Sequence, residues 1–200
     1  MIPDIYYHVY NRGAHKADIF LDGSDYVRML KLLYIANNDA PFIMEQLPDN
    51  IFGVKRNRIL VDIVAYCLMP NHIHIVLKKR LQIESSAVDS IARFIHKLAT
   101  GYTVYFNNKY GHSGTIWQGS YKEKIVYDGL YIQTLIKYVH LNPRSLINPD
   151  MSKPSCDKND AETNEFVMKY EYSSIKDYNG IIRPQRSILN VSELLPFQVG

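Results

Sequence analysis

The sequence lacks any run of roughly 18 apolar residues, so nothing in it reads as a membrane-spanning helix. It has only two cysteines, Cys67 and Cys156, without the spacing of a metal knuckle or a disulfide framework. Cys67 lies in an apolar strand pattern and is expected to pack there. No charge of one sign dominates: 23 Lys and Arg stand against 20 Asp and Glu, for a net charge of +3. That permits a polyanionic partner without arguing for one. The stretch "MIPDIYYHVYNRG" has no basic segment followed by an apolar one, and no internal repeat occurs. The expectation is a soluble, cytoplasmic protein.

What is present is apolar residue in quantity, 46% of 200, enough for one well-buried domain. The 16 tyrosines serve cores, sheets and nucleic-acid surfaces alike, so their number does not discriminate.

"IYYHVYN" (5 to 11) reads as a first strand ended by Gly13. "DGSDYVRMLKLLYIANND" (22 to 39) reads as a helix, with Val27, Leu30, Leu33 and Tyr34 at helical spacing and Ser24 or Asp25 as cap. "RILVDIVAYCLM" (58 to 69) and "HIHIVLKK" (72 to 79), joined at Pro70-Asn71, read as an antiparallel hairpin. A long helix is expected over 84 to 111, with a stripe of Val88, Ile91, Phe94 or Ile95, Leu98 and Tyr102. Residues 115 to 127 read as extended. "DGLYIQTLIKYVHLNP" (128 to 143) reads as a helix capped by Asp128 and stopped by Pro143. This order predicts an α+β, ferredoxin-like or RRM-like antiparallel sheet with helices packed on one face. Residues 148 to 165 are polar and aperiodic and read as a loop or linker. The expected division is a main domain over 1 to 147, then a polar linker and C-terminal extension over 148 to 200.

Strand alternation puts His72 and His74 on one face and Ile73, Ile75 and Leu77 on the other. Two imidazoles on one face can converge on a metal ion. They can equally be two strand histidines without a ligand, and His-x-His alone favours that reading. On the later helix Tyr138 and Asn142 share a face one turn apart, beside an apolar stripe of Ile132, Leu135, Ile136 and Val139. Asn142 can offer an amide oxygen to a metal; spacing alone favours a helix end before Pro143. Tyr138 alone would be read as packing.

Together these segments resemble the single-tyrosine HUH transposases, most closely the REP-associated tyrosine transposase branch. The matching blocks run in order: "YHVYNRG" (7 to 13), "DYVRMLKLL", "AYCLMPNHIHIVLK" (65 to 78) with the triplet His72-Ile73-His74, "YTVYFNNKYGHSGTIWQGSYK" (102 to 122), "YVHLNP" (138 to 143) and "YEYSS" (170 to 174). The resemblance covers roughly residues 5 to 180. It implies that His72 and His74 bind a divalent metal, Mg2+ or Mn2+, that Asn142 supplies a third protein ligand, and that Tyr138 is the nucleophile. It implies cleavage and rejoining of single-stranded DNA, at hairpin-bearing ends, through a 5′-phosphotyrosine link. The alternative is a domesticated or inactive relative that binds hairpin DNA without cutting.

Asn11 and Arg12, in the "YNRG" match, together with Lys78, Lys79, Lys122 and Arg144, are candidates for DNA contact, as are Arg80 and Lys124. For any single Lys or Arg the reading as a solvated charge is favoured, and Asn11 and Arg12 are better candidates than the average charge. Trp117 can stack a base or sit in the core. The resemblance also implies a bacterial cytoplasmic setting. It allows either a monomer or a homodimer with the tyrosine helix placed in trans.

Overall fold

The computed structural model describes residues 5–80, 89–127, 129–148 and 161–190. Strands β1 (Tyr6–Arg12), β2 (Val61–Met69), β3 (His72–Lys79) and β4 (Lys122–Val126) form one antiparallel sheet in the order β2-β3-β1-β4. Helix α1 (Gly23–Ile35) lies between β1 and β2 in the chain, and α2 (Ser90–Tyr110) between β3 and β4. This is the ferredoxin-like arrangement expected from the sequence.

Alternation explains the layers. Tyr7, Val9, Ile73, Ile75 and Leu77 face one way and pack with Met29, Leu30 and Leu33 of α1 and Phe94, Leu98 and Tyr102 of α2. The opposite face is not left to solvent. A third helix, α3 (Gly129–Leu141), lays Ile132, Leu135, Ile136 and Val139 on Tyr6, Cys67, Met69 and Val76. Each such fully buried branched side chain contributes about 2 kcal/mol relative to exposure. A β-bulge between Ile63 and Ala65 shifts the register of β2, so Val64 and Ala65 both join the α3 face.

Several local expectations need correcting. Asp22, not Ser24 or Asp25, caps α1: its carboxylate accepts from the Ser24 and Asp25 amides, and Asp25 reciprocates in a capping box. Val27 is 45% exposed, and the buried stripe is instead Tyr26, Met29, Leu30, Leu32, Leu33, Tyr34 and Ile35. The helix stops at Ile35, short of 39, because Asn37 accepts from the Leu60 and Val61 amides and turns the chain toward β2. Helix α2 ends at Gly111, whose φ of 61° is the left-handed cap that glycine supplies. The expected start of this helix at 84, Val88 and the Asp128 cap lie outside the described residues.

Residues 161 to 165 are not loop but the start of α5 (Ala161–Lys169), which follows α4 (Arg144–Ile147). Its sequence, "AETNEFVMK", buries only Thr163 and Val167, one residue per turn, too sparse to show as periodicity. Residues 149 to 160 lie outside the described residues.

The segment after α5 covers the free edge of β2. The Leu68 amide donates to the Tyr172 carbonyl at 2.9 Å and the Ser174 amide to that of Tyr66 at 3.0 Å, with Cys67 opposite Ser173. Helix α6 (Ile175–Tyr178) follows. Arg183 then fastens this segment. Its guanidinium donates to both carboxylate oxygens of buried Asp177 at 3.0 and 2.6 Å, and to Tyr66 Oη at 3.2 Å.

Candidate active site

Pairing of the two inner strands assembles the site. In the β1–β3 register Arg12 stands opposite His72 and Tyr10 opposite His74, while His8 stands opposite Val76. On the other side of β1, Lys122 lies opposite Tyr10 and Lys124 opposite His8. All these positions share the face that α3 partly covers, so the floor of the site is three imidazoles flanked by cations.

Each predicted ligand histidine is held by its neighbours. His72 Nδ1 lies 2.6 Å from Asn71 Oδ1. An amide oxygen only accepts, so Nδ1 carries the proton and the Nε2 lone pair is left for a ligand. Asn71 is fixed in turn by donating to the Lys16 carbonyl at 3.1 Å. His74 Nδ1 lies 2.9 Å from His8 Nε2, and the two rings stack at 5.1 Å. The His72 and His74 rings are 5.0 Å apart and nearly perpendicular.

Burial keeps these imidazoles neutral. His8 falls to about 4, from burial and then the nearby Lys124 charge. His72 falls to about 4, from burial and then Arg12, with the Asn142 side chain pulling it back up by hydrogen bonding. His74 lies well below 6.5, through burial and then the neighbouring His72, His8 and Arg12. Near neutral pH all three are uncharged and keep a lone pair, as metal ligation needs.

Tyr138 stands over this floor. Its ring is 5.7 Å from that of His74 and 5.9 Å from that of His8, edge-on to both. Burial raises its phenol, and Tyr10 adds to this; the Asn142 side chain and the Arg12 charge act the other way. Asn142 Nδ2 donates to the Tyr138 carbonyl at 2.8 Å, which closes the end of α3 as spacing suggested. The same amide group lies beside both His72 and Tyr138. The tyrosine helix packs on the sheet that carries the histidines of the same chain.

The predicted cations are dispersed. Arg12 and Lys122 border the histidine face and are exposed. Lys78 lies on that face at the far end of β3, 5.7 Å from the Tyr6 ring. Lys79 points to the other face and pairs with Asp89. Arg80 pairs with Asp62 at 2.5 Å. Arg144 donates to Asn164 at 2.5 Å, between α4 and α5. Asn11 faces away from the histidines and donates to the Gly119 carbonyl at 3.3 Å. Trp117 is core, 6% exposed, with Nε1 donating to Thr103 Oγ1 at 3.1 Å.

Sequence reasoning missed His8 and Asn71, and gave His140 no role because it lies on another helical face from Tyr138. Asn71 was visible only as a turn residue. His8 alternates with Tyr10 and Arg12 in "YHVYNR", a signal that acquires meaning once β1 is paired with β3. His140, fully buried on α3, meets Ser174 Oγ at 2.7 Å and ties the tyrosine helix to the segment on the β2 edge.

The residues fit a divalent metal through nitrogen and amide donors. Among the described residues no three His, Cys, Asp or Glu side chains form a metal-holding group. His8 is spent on His74, leaving Nε2 of His72 and of His74 and the amide of Asn142. This set has no carboxylate, so phosphate oxygens of a bound substrate would complete it. Imidazole donors favour Mn2+ over Mg2+.

The site is thus a ferredoxin-like sheet with paired strand histidines under a helix-borne tyrosine. A family model described as "Transposase IS200 like" matches residues 41–142, which span His72, His74, Tyr138 and Asn142. The chain belongs to that family. Among solved structures it is similar to a REP-associated tyrosine transposase bound to a REP hairpin. The identity is 12% and the TM-score 0.55, over 92% of this chain and 86% of that one, a likeness of fold. No curated protein matches the chain. Among the described residues no helix is long and apolar enough to cross a membrane.

Proposed function

We propose that this transposase-family protein cuts and rejoins single-stranded DNA at hairpin-bearing ends, with Tyr138 as nucleophile. The observation that carries the reading is the placement of the Tyr138 ring edge-on to the His74 and His8 rings, with the His72 ring 5.0 Å from that of His74, within one chain. The solved structure similar in fold has a REP hairpin bound, which supports a hairpin substrate.

His72, His74 and Asn142 would hold Mg2+ or Mn2+, whose Lewis acidity polarises a scissile phosphate and stabilises its developing charge. The chain's own residues do the rest. The Tyr138 oxygen attacks phosphorus, forming a phosphotyrosine bond as the bond to the 3′-oxygen breaks. The phenol proton leaves to solvent and the 3′-oxygen takes one up as a 3′-OH. One phosphodiester replaces another, so a 3′-OH can reverse the step and join new ends without ATP. Burial works against the phenolate, and the Arg12 guanidinium favours it. Arg12 and Lys122 supply the positive rim that draws in a phosphate backbone.

The test is incubation of labelled, hairpin-bearing single-stranded DNA with Mn2+ or Mg2+, followed by a denaturing gel. Wild type is expected to form a covalent adduct and Tyr138→Phe none. Equal adduct from Tyr138→Phe, or none from wild type on any hairpin end flanking the gene, would sink the mechanism.

A further inference from the structure

We propose that Tyr131 and Lys124 form a nucleotide subsite beside the candidate active site, the phenol ring stacking a base and the ammonium holding the adjoining phosphate of single-stranded DNA. This rests on the reading that Tyr138 acts on such DNA. Tyr131 precedes Tyr138 on α3 by two helical turns, so both lie along the same flank, about 10 Å apart along the axis. The intervening core positions Ile132, Leu135, Ile136 and Val139 point into the sheet. Tyr131 remains 46% exposed, whereas Tyr6, Tyr7, Tyr66, Tyr102 and Tyr170 are each buried to under a tenth.

Lys124 links that ring to the site. It is exposed on β4, opposite His8, and its Nζ lies 5.6 Å from the Tyr131 ring centroid. Lys122 follows on the same face, opposite Tyr10. Glu123, the one acid of β4, alternates to the other face, opposite Val9. Among the described residues no carboxylate pairs with Lys122 or Lys124. Their charge is therefore available to a phosphate, and the row Arg12, Lys122, Lys124 runs beside the histidines toward Tyr131. An exposed ring next to unpaired ammonium groups is the combination that holds single strands irrespective of sequence. Duplex DNA, whose bases stay stacked on each other, cannot use the ring.

The experiment measures equilibrium binding of a short fluorescein-labelled oligothymidylate by anisotropy, without metal, in a Tyr138→Phe background that cannot react. Tyr131→Ala should weaken binding at least about fivefold, with Tyr131→Phe near the parent, since stacking needs the ring and not the hydroxyl. Lys124→Ala should lower the salt slope by about one. Affinity for a duplex of equal length should be unchanged by Tyr131→Ala. The proposal is overturned if Tyr131→Ala binds within twofold of the parent, if it loses duplex equally, or if the parent shows no binding. Adduct formation separates this from the broader reading. Adduct with an ineffective Tyr131→Ala defeats the subsite alone. Binding that depends on Tyr131 without adduct defeats the cleavage reading alone.

Discussion

Acid should unfold this protein through its histidines before its carboxylates titrate. His8, His74 and His140 are 8, 7 and 0% exposed. Burial takes His8 down to about 4, His140 down to about 3 and His74 well below 6.5. In the unfolded chain each returns to about 6.5. Above that pH both states hold neutral imidazoles and stability does not depend on them. As the pH falls below 6.5 the unfolded chain takes up protons that the fold refuses, so stability is lost progressively toward the folded values near 4 and 3. His72, which also falls to about 4, behaves in the same way; at pH 5 the loss is roughly 2 kcal/mol for each imidazole, about 8 kcal/mol for the four. That rivals the whole stability of a typical domain, about 5–15 kcal/mol. Buried Asp25, and Asp89, which accepts from the Ile91 amide at the start of α2, are shifted down from 3.8, so the stability they add is present above 3.8 and lost only below it. The window from pH 6.5 to 5 therefore belongs to the histidines. Urea denaturation followed by Trp117 fluorescence at several pH values tests this. The slope of stability against pH should approach an uptake of about four protons on unfolding, from His8, His72, His74 and His140, and His140→Asn should remove one of them. Stability that stays flat between pH 7 and 5 would refute the reasoning.

Two further outcomes follow from contacts described above. Arg183→Met leaves the buried Asp177 carboxylate without its cation and should cost about 3–5 kcal/mol in urea denaturation, with much of it recovered in Arg183→Met/Asp177→Leu; a loss under about 1 kcal/mol would show that the pair holds little. His8→Phe removes the partner of His74 Nδ1 and should weaken Mn2+ binding, read calorimetrically with oligonucleotide present, about 10- to 100-fold. His8→Gln, whose amide oxygen can still accept, should lose less, and wild-type Mn2+ affinity in His8→Phe would exclude a role for His8 in setting that ring.

The parts of the fold legible in the sequence are those where one short period settles the matter. Ile73, Ile75 and Leu77 alternate with His72 and His74, so the two faces of β3 follow from the strand itself. Ile132, Leu135, Ile136 and Val139 place Tyr138 at the edge of α3 by the same logic with a helical period. Period thus put the His72–His74 pair on one face and Tyr138 at a helix edge, and the family resemblance, not the period, singled them out as candidate ligands and nucleophile. His8 was not singled out, because its meaning comes from a register spanning 66 residues. Helix α5 was hidden by polarity, and Val27 was misplaced because the stripe of α1 is centred on Met29 and Leu33. The cations were the least legible. Lys78, Lys79, Lys122 and Arg144 look alike in sequence, yet strand parity and local acids send them to different surfaces.

The cover on the β2 edge sets an order of events during synthesis. β2 carries "VDIVAYCLM", apolar on both faces, and its outer edge pairs with residues that emerge much later, Ser174 lying 108 positions after Tyr66. Until those residues leave the ribosome, a β-rich edge stands open to other chains, the hazard that drives edge-to-edge aggregation. The same late residue, Ser174, ties down the helix that carries Tyr138. A nascent or truncated chain lacking it would expose a sticky strand and hold its tyrosine loosely. Solubility and a finished tyrosine helix therefore arrive together, once Ser174 has emerged.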